Sequence, residues 1–318
     1  GAVAVFADCD PNTFQPDRGL SPDTRGTPYA TVFSLGTTGV GSTGLLKSGV
    51  FEPGNATRLT AVNTFNLPGA AGCEAAGDDM GPYAYRIWNS PASKYACAWD
   101  YPAAAVIQQP QDSIDFIGRA TFRIGTTHEA YVEMTASKVD VAKTFEPNQI
   151  SSSTSAAATA LGPSTWYPLN ATTQATYDTV YNALAGYFGA GQLNYGAPIA
   201  YRWRCMACGP RQIETTTKSY RFVAGIGGLV GDWNYDVGLT RGSSKSESIL
   251  GTGFHYTDAL KAALGSGLIN PFLAPGQQQS AAAMAALDAA SAAGVKLYGG
   301  ESIVTSLDAS VSGDLPWF

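Results

Sequence analysis

Strict alternation of apolar and polar side chains is the strongest signal in this sequence. In residues 113–124, SIDFIGRATFRI, one face carries Ile114, Phe116, Gly118, Ala120, Phe122 and Ile124. The other carries Ser113, Asp115, Arg119, Thr121 and Arg123, with Ile117 the exception. A short turn, GTTH, leads into EAYVEMTASKVDV, where Ala130, Val132, Met134 and Ala136 alternate with Tyr131, Glu133, Thr135 and Ser137. A period of two with one apolar face predicts an antiparallel hairpin over about 113–141. A second hairpin is predicted over about 218–249. Tyr220, Phe222, Ala224 and Ile226 oppose Ser219, Arg221, Gly225 and Gly227 before a Gly-rich turn. After it, Trp233, Tyr235, Val237 and Leu239 oppose Asn234, Asp236, Gly238 and Thr240. A further strand at about 299–312 sets Ile303, Leu307, Ala309 and Val311 against Ser302, Ser306, Asp308 and Ser310.

Long connections separate these hairpins, at about 7–112, 146–214 and 250–300, with room for an opening strand at GAVAVFA. They are rich in Pro, Gly, Ala and Ser and hold three helical patterns: TTQATYDTVYNALAGYF, TDALKAALGSG and SAAAMAALDAASAAG. Connections of this length are uncommon inside compact soluble domains. Here they all leave from the same strand ends, while short turns close the opposite ends. A soluble β-sandwich also alternates apolar and polar residues, but gives no reason for that asymmetry. An outer-membrane barrel does: short periplasmic turns, long external loops and aromatic residues at the membrane interfaces. Phe122, Trp233 and Tyr235 lie beside the short turns, where such a girdle belongs. The expected fold class is therefore all-β, an antiparallel up-and-down meander. It would form a partial transmembrane β-barrel over residues 1–318, with long loops carrying short helices at one end.

Composition agrees with that expectation. Charged residues make up 14% of the 318, below the roughly 25% of a typical soluble domain. Strands with neutral hydroxyl and small residues on their polar faces produce that deficit. A net charge of -6 argues against a nucleic-acid partner, which needs clustered Lys and Arg. No stretch approaches the 18 apolar residues of a membrane helix. The start, GAVAVFADCD, has neither Met nor the regions of a signal peptide, and SGDLPWF stops just after a turn. The chain reads as a piece of a longer one.

Three stretches resemble the barrel region of TonB-dependent outer-membrane receptors. They are CAWDYPAAAVIQQPQDSIDFIGRATFRIGTTHEAYVEMTAS, GPRQIETTTKSYRFVAGIGGLVGDWNYDVGLTRGSSKSESILGTG and GLINPFLAPGQQQSAAAMAALDAASAAGVKLYGG. The resemblance covers most of residues 97–312 and is weaker before them. It implies a bacterial outer-membrane location and active import of a scarce nutrient: a siderophore, cobalamin or an oligosaccharide. Energy would be relayed by TonB through an N-terminal plug. The implied partners are a small-molecule or oligosaccharide ligand, TonB and outer-membrane lipid, with no cofactor. No TonB box, plug or closing strand is recognisable; Phe318 mimics a barrel's C-terminal Phe, but Asp314 and Pro316 break the pattern. A passive porin and a secreted β-sandwich adhesin or carbohydrate-binding domain are the alternatives.

The remaining motifs point to structure more than to chemistry. RWRCMACGPR places Cys205 and Cys208 two residues apart. Zinc would need four ligands, and no second pair stands at suitable spacing. A thioredoxin-type site would need a helix N-terminus in an α/β unit, whereas this pair leads into a strand. A disulfide in the loop is the favoured reading, Cys73 and Cys97 are candidates for a second, and Cys9 is left over. GVGSTG (39–44) matches a dinucleotide fingerprint, but the following LLKSGVFEPGN is too broken to supply its helix. Asp78 and Asp79 could hold a cation, though a solvated loop accounts for them. The sequons at Asn55 and Asn170 carry no weight in a bacterial outer membrane.

No nucleophile elbow or H-E-x-x-H is present, His128 and His255 lie in unrelated contexts, and no enzyme is expected. Candidate ligand contacts are the aromatics of YAYRIWN, KYACAWDY and TWYPLN: Tyr83, Tyr85, Trp88, Tyr95, Trp99, Tyr101, Trp166 and Tyr167. They suit stacking on a sugar or an aromatic siderophore. Packing of the loops against one another, or an outer girdle, explains them without a ligand and is favoured.

Overall fold

A computed structural model describes residues 26–34, 44–46, 48–77, 79–100, 106, 108–151 and 163–314. GAVAVFA, Cys9, Asp78, Tyr101, Phe318 and most of GVGSTG lie outside them. In chain order come β1 (Thr31–Phe33), β2 (Val50–Phe51), β3 (Arg58–Leu59), β4 (Ala61–Val62), β5 (Met80–Pro82) and β6 (Cys97–Trp99). Then follow β7 (Gln111–Ile124), β8 (His128–Pro147), β9 (Gln149–Ser151), α1 (Gln174–Phe188), β10 (Tyr201–Arg204), β11 (Pro210–Val230) and β12 (Trp233–Leu250). The last are α2 (Thr257–Gly265), α3 (Ala281–Ala289) and β13 (Lys296–Ser312). The protein is mostly β, and its paired strands are antiparallel. Two compact units share the chain. A strand unit comprises the described parts of 108–143, 212–251 and 294–318, and a loop unit those of 1–107, 144–211 and 252–293.

The strand unit is one five-stranded sheet in the order β13-β12-β11-β8-β7. It is open, and no closed barrel forms among the described residues. Gly125 (φ 67°) and Gly231 (φ 62°) take the left-handed conformations that the two tight turns require. The strands run longer than the expected 113–141, 218–249 and 299–312. Their extensions lack apolar alternation and pair through hydroxyls, as in Thr215–Ser248 (2.7 Å) and Thr217–Ser246 (3.0 Å).

Register assembles the predicted faces into sheet-wide rows. Phe122 faces Ala130, Ile226 faces Val237, and Val237 faces Ala309. One step on, Ala120 faces Val132 and Leu239 faces Leu307; two further on, Phe116 faces Ala136 and Ser243 faces Ile303. Much of this face is exposed, with Ile114 at 74%, Leu307 at 75% and Val311 at 67%, while Val132, Ala136 and Ala224 are half-buried and Ser243 is buried. From Phe116 to Ile124 the chain advances about 27 Å along the strand. At a typical ~40° tilt that is about 21 Å of height, close to the apolar band of a membrane barrel. This face is not free of charge as its first positions suggest. Arg241 falls on it, one step beyond Leu239, and donates to Thr305 Oγ1 at 3.1 Å.

The opposite face is polar and closely packed. Arg119 pairs with Glu133 at 3.1 Å and lies over the Tyr131 ring. Tyr131 in turn covers Gly225 and Gly238, which face each other on β11 and β12. A Cβ at Gly225 would collide with the Tyr131 ring and hydroxyl. Gly225→Val should therefore displace Tyr131 and destabilise the sheet by roughly 1–3 kcal/mol. Gly238→Ala, whose added methyl only reaches ordinary contact with Tyr131 at 3.4 Å, should cost less. Urea unfolding of the two variants checks the order.

The long connections are more than loops. They fold into a unit with a hydrophobic core of its own, containing Leu45, Leu46, Leu59, Tyr177, Leu184, Ile199, Leu264 and Leu287. All three predicted helices form. In α1 the buried side chains Tyr177, Val180, Leu184 and Phe188 recur at helical spacing, and Gly189 (φ 86°) ends it. Before α1, Asn170 Oδ1 accepts from the Thr172 and Thr173 N–H groups, so this sequon residue serves a turn. Ser280 caps α3 through the Ala283 N–H at 3.1 Å. A four-stranded sheet, β4-β1-β10-β9, runs through the core.

Candidate functional site

Packing claims most of the aromatic residues proposed as ligand contacts. Tyr95, Trp99 and Tyr167 belong to the main core of the loop unit, and Trp166 is buried. Tyr83 is buried in a smaller cluster with Phe33, Ala61, Ala96 and Ala98, against which Tyr85 and Trp88 pack. None of the seven lines the two cavities described below. The cause is local. Met80 to Pro82 pairs with Cys97 to Trp99, and the Cys73–Cys97 disulfide joins that hairpin to the preceding turn. The rings are thereby drawn inward.

Tyr95 takes part in a polar cluster at the edge of this core. Glu52 Oε1 accepts from Lys94 Nζ at 2.7 Å and from the Tyr95 hydroxyl at 2.5 Å. The Tyr95 and Tyr187 hydroxyls lie 2.9 Å apart, and Asn55 Nδ2 donates to Glu52 Oε2. Hydrogen bonds from Lys94 and Tyr95 hold the Glu52 carboxyl below its ordinary range, while burial first, and then the bond to Glu52, raises the Tyr95 phenol. Glu52 hydrogen-bonding also raises the Lys94 ammonium. Shifted this way, Glu52 and Lys94 stay ionised and Tyr95 stays neutral at neutral pH, so the cluster acts as a clamp. Because the folded Glu52 titrates below its unfolded value, its contribution is complete above that value. It disappears as pH falls through the lowered folded one. Melting followed from pH 6 to pH 3 should show this loss in the native protein and a smaller one in Glu52→Gln.

Cys205 and Cys208 are joined by a disulfide. The Cys205 N–H donates to the Asn148 carbonyl and the Cys208 N–H to that of Cys205, which fixes a single turn between β10 and β11. That turn presents Met206 and Ala207 to a cavity of about 450 Å³, whose other walls include Tyr29, Trp203, Leu273 and Met284. A second cavity of about 440 Å³ shares Tyr29, Ala274 and Gln277 with it. Tyr29 is held edge-on to Phe65 and Phe272, accepts from Thr64 Oγ1 at 3.1 Å, and has its phenol raised by burial.

Most polar groups at the first cavity are already committed. Trp203 Nε1 donates to the Pro28 carbonyl, and Arg204 to Pro147 O and Gln149 Oε1. Gln279 bridges the backbone of Asn270, and Gln277 accepts from the Ala274 N–H. The result is an apolar and sulfur-rich wall with a rigid amide rim, suited to a small ligand group of low charge. Sequence reading overlooked Tyr29, Trp203 and the PGQQQ segment. Trp203 stands two residues before Cys205, and that neighbourhood was the available signal.

His255 lies in the loop unit, half-buried, with its imidazole pKa lowered by that burial; His128 is in the strand unit and 3.1 Å from the Tyr235 hydroxyl. Among the described residues no group of three or more His, Cys, Asp or Glu side chains could hold a metal ion. No helix among them is long and apolar enough to cross a membrane, which leaves β-barrels untouched. No family model matches this chain, and no curated protein or solved structure matches it closely enough to assign a relative.

Proposed function

We propose that this chain is a stretch of barrel wall and external loops from a TonB-dependent outer-membrane receptor. The receptor captures a scarce nutrient and imports it with energy relayed by TonB through a plug region. The reading rests above all on one observation. The exposed rows of Ile, Leu, Val, Phe and Ala on one sheet face match the height of a membrane's apolar band, and the polar face lies opposite. Connectivity supports it, since short turns join one set of strand ends and every long connection leaves from the other. The resemblance of residues 97–312 to such receptors narrows barrel to receptor. Loops on a rigid scaffold commonly carry recognition. The cavity walled by Tyr29, Trp203, Met206 and Met284 is accordingly the place for part of the ligand, with low charge favoured over a phosphate.

Fractionation tests the reading. The full-length gene product should sediment with outer membranes, resist extraction by alkaline carbonate and need detergent for release. Recovery in the aqueous phase without detergent overturns it in favour of a secreted β-sandwich. Passive flux of small solutes, independent of TonB, would favour a porin.

A further inference from the structure

The two cavities of the loop unit meet along one ridge. Ala274 and Gln277 wall both, and they are the ends of a turn closed by the Gln277 N–H on the Ala274 carbonyl at 3.0 Å. The Gln277 side chain closes the same turn again, accepting from the Ala274 N–H at 3.1 Å. Pro275 and Gly276 (φ 81°) fill its two middle positions. The ends of such a turn lie within about 7 Å of each other. On one side of the ridge stand Met206, Ala207, Leu273 and Met284. On the other stand Phe65, Ala70, Ala71, Ala175, Ala183 and Phe272.

Charge and hydrogen bonding narrow what can lie across the ridge. Arg204 is the one charged residue among the described linings, and it is 3% exposed and committed to Pro147 and Gln149. Neither cavity therefore offers a cation to an anionic ligand. Trp203, Tyr29 and Phe272 are all buried, so none of these rings turns an open face to a sugar. The hydroxyls of the second cavity are taken as well. Thr64 donates to the Tyr29 hydroxyl, Thr176 accepts from Asn270, and Thr179 donates to the Ala175 carbonyl. Gln277 Nε2 and the Gln278 amide, by contrast, engage no partner among the described residues, and both side chains are exposed.

We propose that the ridge binds an uncharged peptide in extended form. Side chains two apart on an extended chain point the same way about 7 Å from each other, which is the span of the turn. One apolar side chain enters each cavity, and the backbone between them pairs with Gln277 Nε2 and the Gln278 amide. Main-chain hydrogen bonds with pockets for alternate side chains are a general mode of peptide recognition. The inference rests on the receptor reading and gives its cargo a chemical class.

Calorimetric titration of the detergent-solubilised full-length protein with capped peptides tests it. Acetyl-Leu-Ala-Leu-amide should bind at least about thirtyfold tighter than acetyl-Ser-Ala-Ser-amide, because two Leu side chains leave water. Gln278→Ala should weaken the Leu peptide about fivefold, the loss of one neutral hydrogen bond. Met206→Lys, at a position 47% exposed, should weaken it about tenfold. That variant should also gain affinity for acetyl-Glu-Ala-Leu-amide or acetyl-Leu-Ala-Glu-amide, a gain that a misfolded variant could not show. Equal binding of the Leu and Ser peptides overturns the proposal, as does tighter binding of maltotriose than of the Leu peptide. Failure of the Leu peptide to bind protein that fractionates with outer membranes overturns this inference alone. Binding by protein recovered in the aqueous phase overturns the receptor reading and leaves the peptide site standing.

Discussion

Leu307→Arg should destabilise the membrane-inserted protein by about 2–4 kcal/mol, the cost of a cation near the middle of a bilayer on a lipid-facing strand. Leu307 is 75% exposed and lies in the row with Ala120, Val132 and Leu239, midway along the apolar band. In a water-soluble domain the same substitution at so exposed a position would be within about 0.5 kcal/mol of neutral. Ser306→Arg, one residue away on the polar face, should be close to neutral in either setting. Urea unfolding in phosphatidylcholine vesicles separates the cases. A large penalty at 307 with none at 306 supports lipid on this face, and two small effects would remove the main physical ground for a barrel.

Leu184→Ala should loosen the loop unit while leaving the sheet paired. Leu184 is wholly buried on α1, beside Tyr177, Val180 and Phe188 in the same core. Truncating a buried Leu costs about 2–5 kcal/mol, from lost transfer energy and the cavity left behind. Limited proteolysis gives the readout. Cleavage within 163–211 and 252–293 should rise sharply, while peptides from β7, β11 and β12 stay protected. If protease sensitivity in those connections is unchanged, they are not held by a shared core. The disulfides at 73–97 and 205–208 should slow this loosening, and reduction should accelerate it.

The strand pattern was legible because period-two alternation needs no tertiary information. SIDFIGRATFRI names its own two faces, and the register merely aligns them across five strands. The helices were legible for the same reason at a period of 3.6, with Gly189 marking one end and Ser280 one start. The start of β11 was not, because TTT carries no apolar alternation and pairs with Ser246 and Ser248 through hydroxyl contacts that appear only once the strands are adjacent.

The candidate site was harder to read. Trp99 and Tyr167 look like stacking platforms in sequence, since an aromatic ring has the same composition whether it faces a ligand or a core. Their burial follows from neighbours far along the chain. The cavity brings Tyr29, Trp203, Leu273 and Met284 together from four segments, and no local spacing encodes that meeting.

By itself, then, the sequence determined which residues share a face, where the chain turns and where short helices form, because each depends on neighbours a few positions away. Only the tertiary structure decided that the connections build a core and which rings that core absorbs. Those outcomes depend on pairings between residues from distant parts of the chain. Such pairings are set by register and packing over the whole fold, to which periodicity is blind.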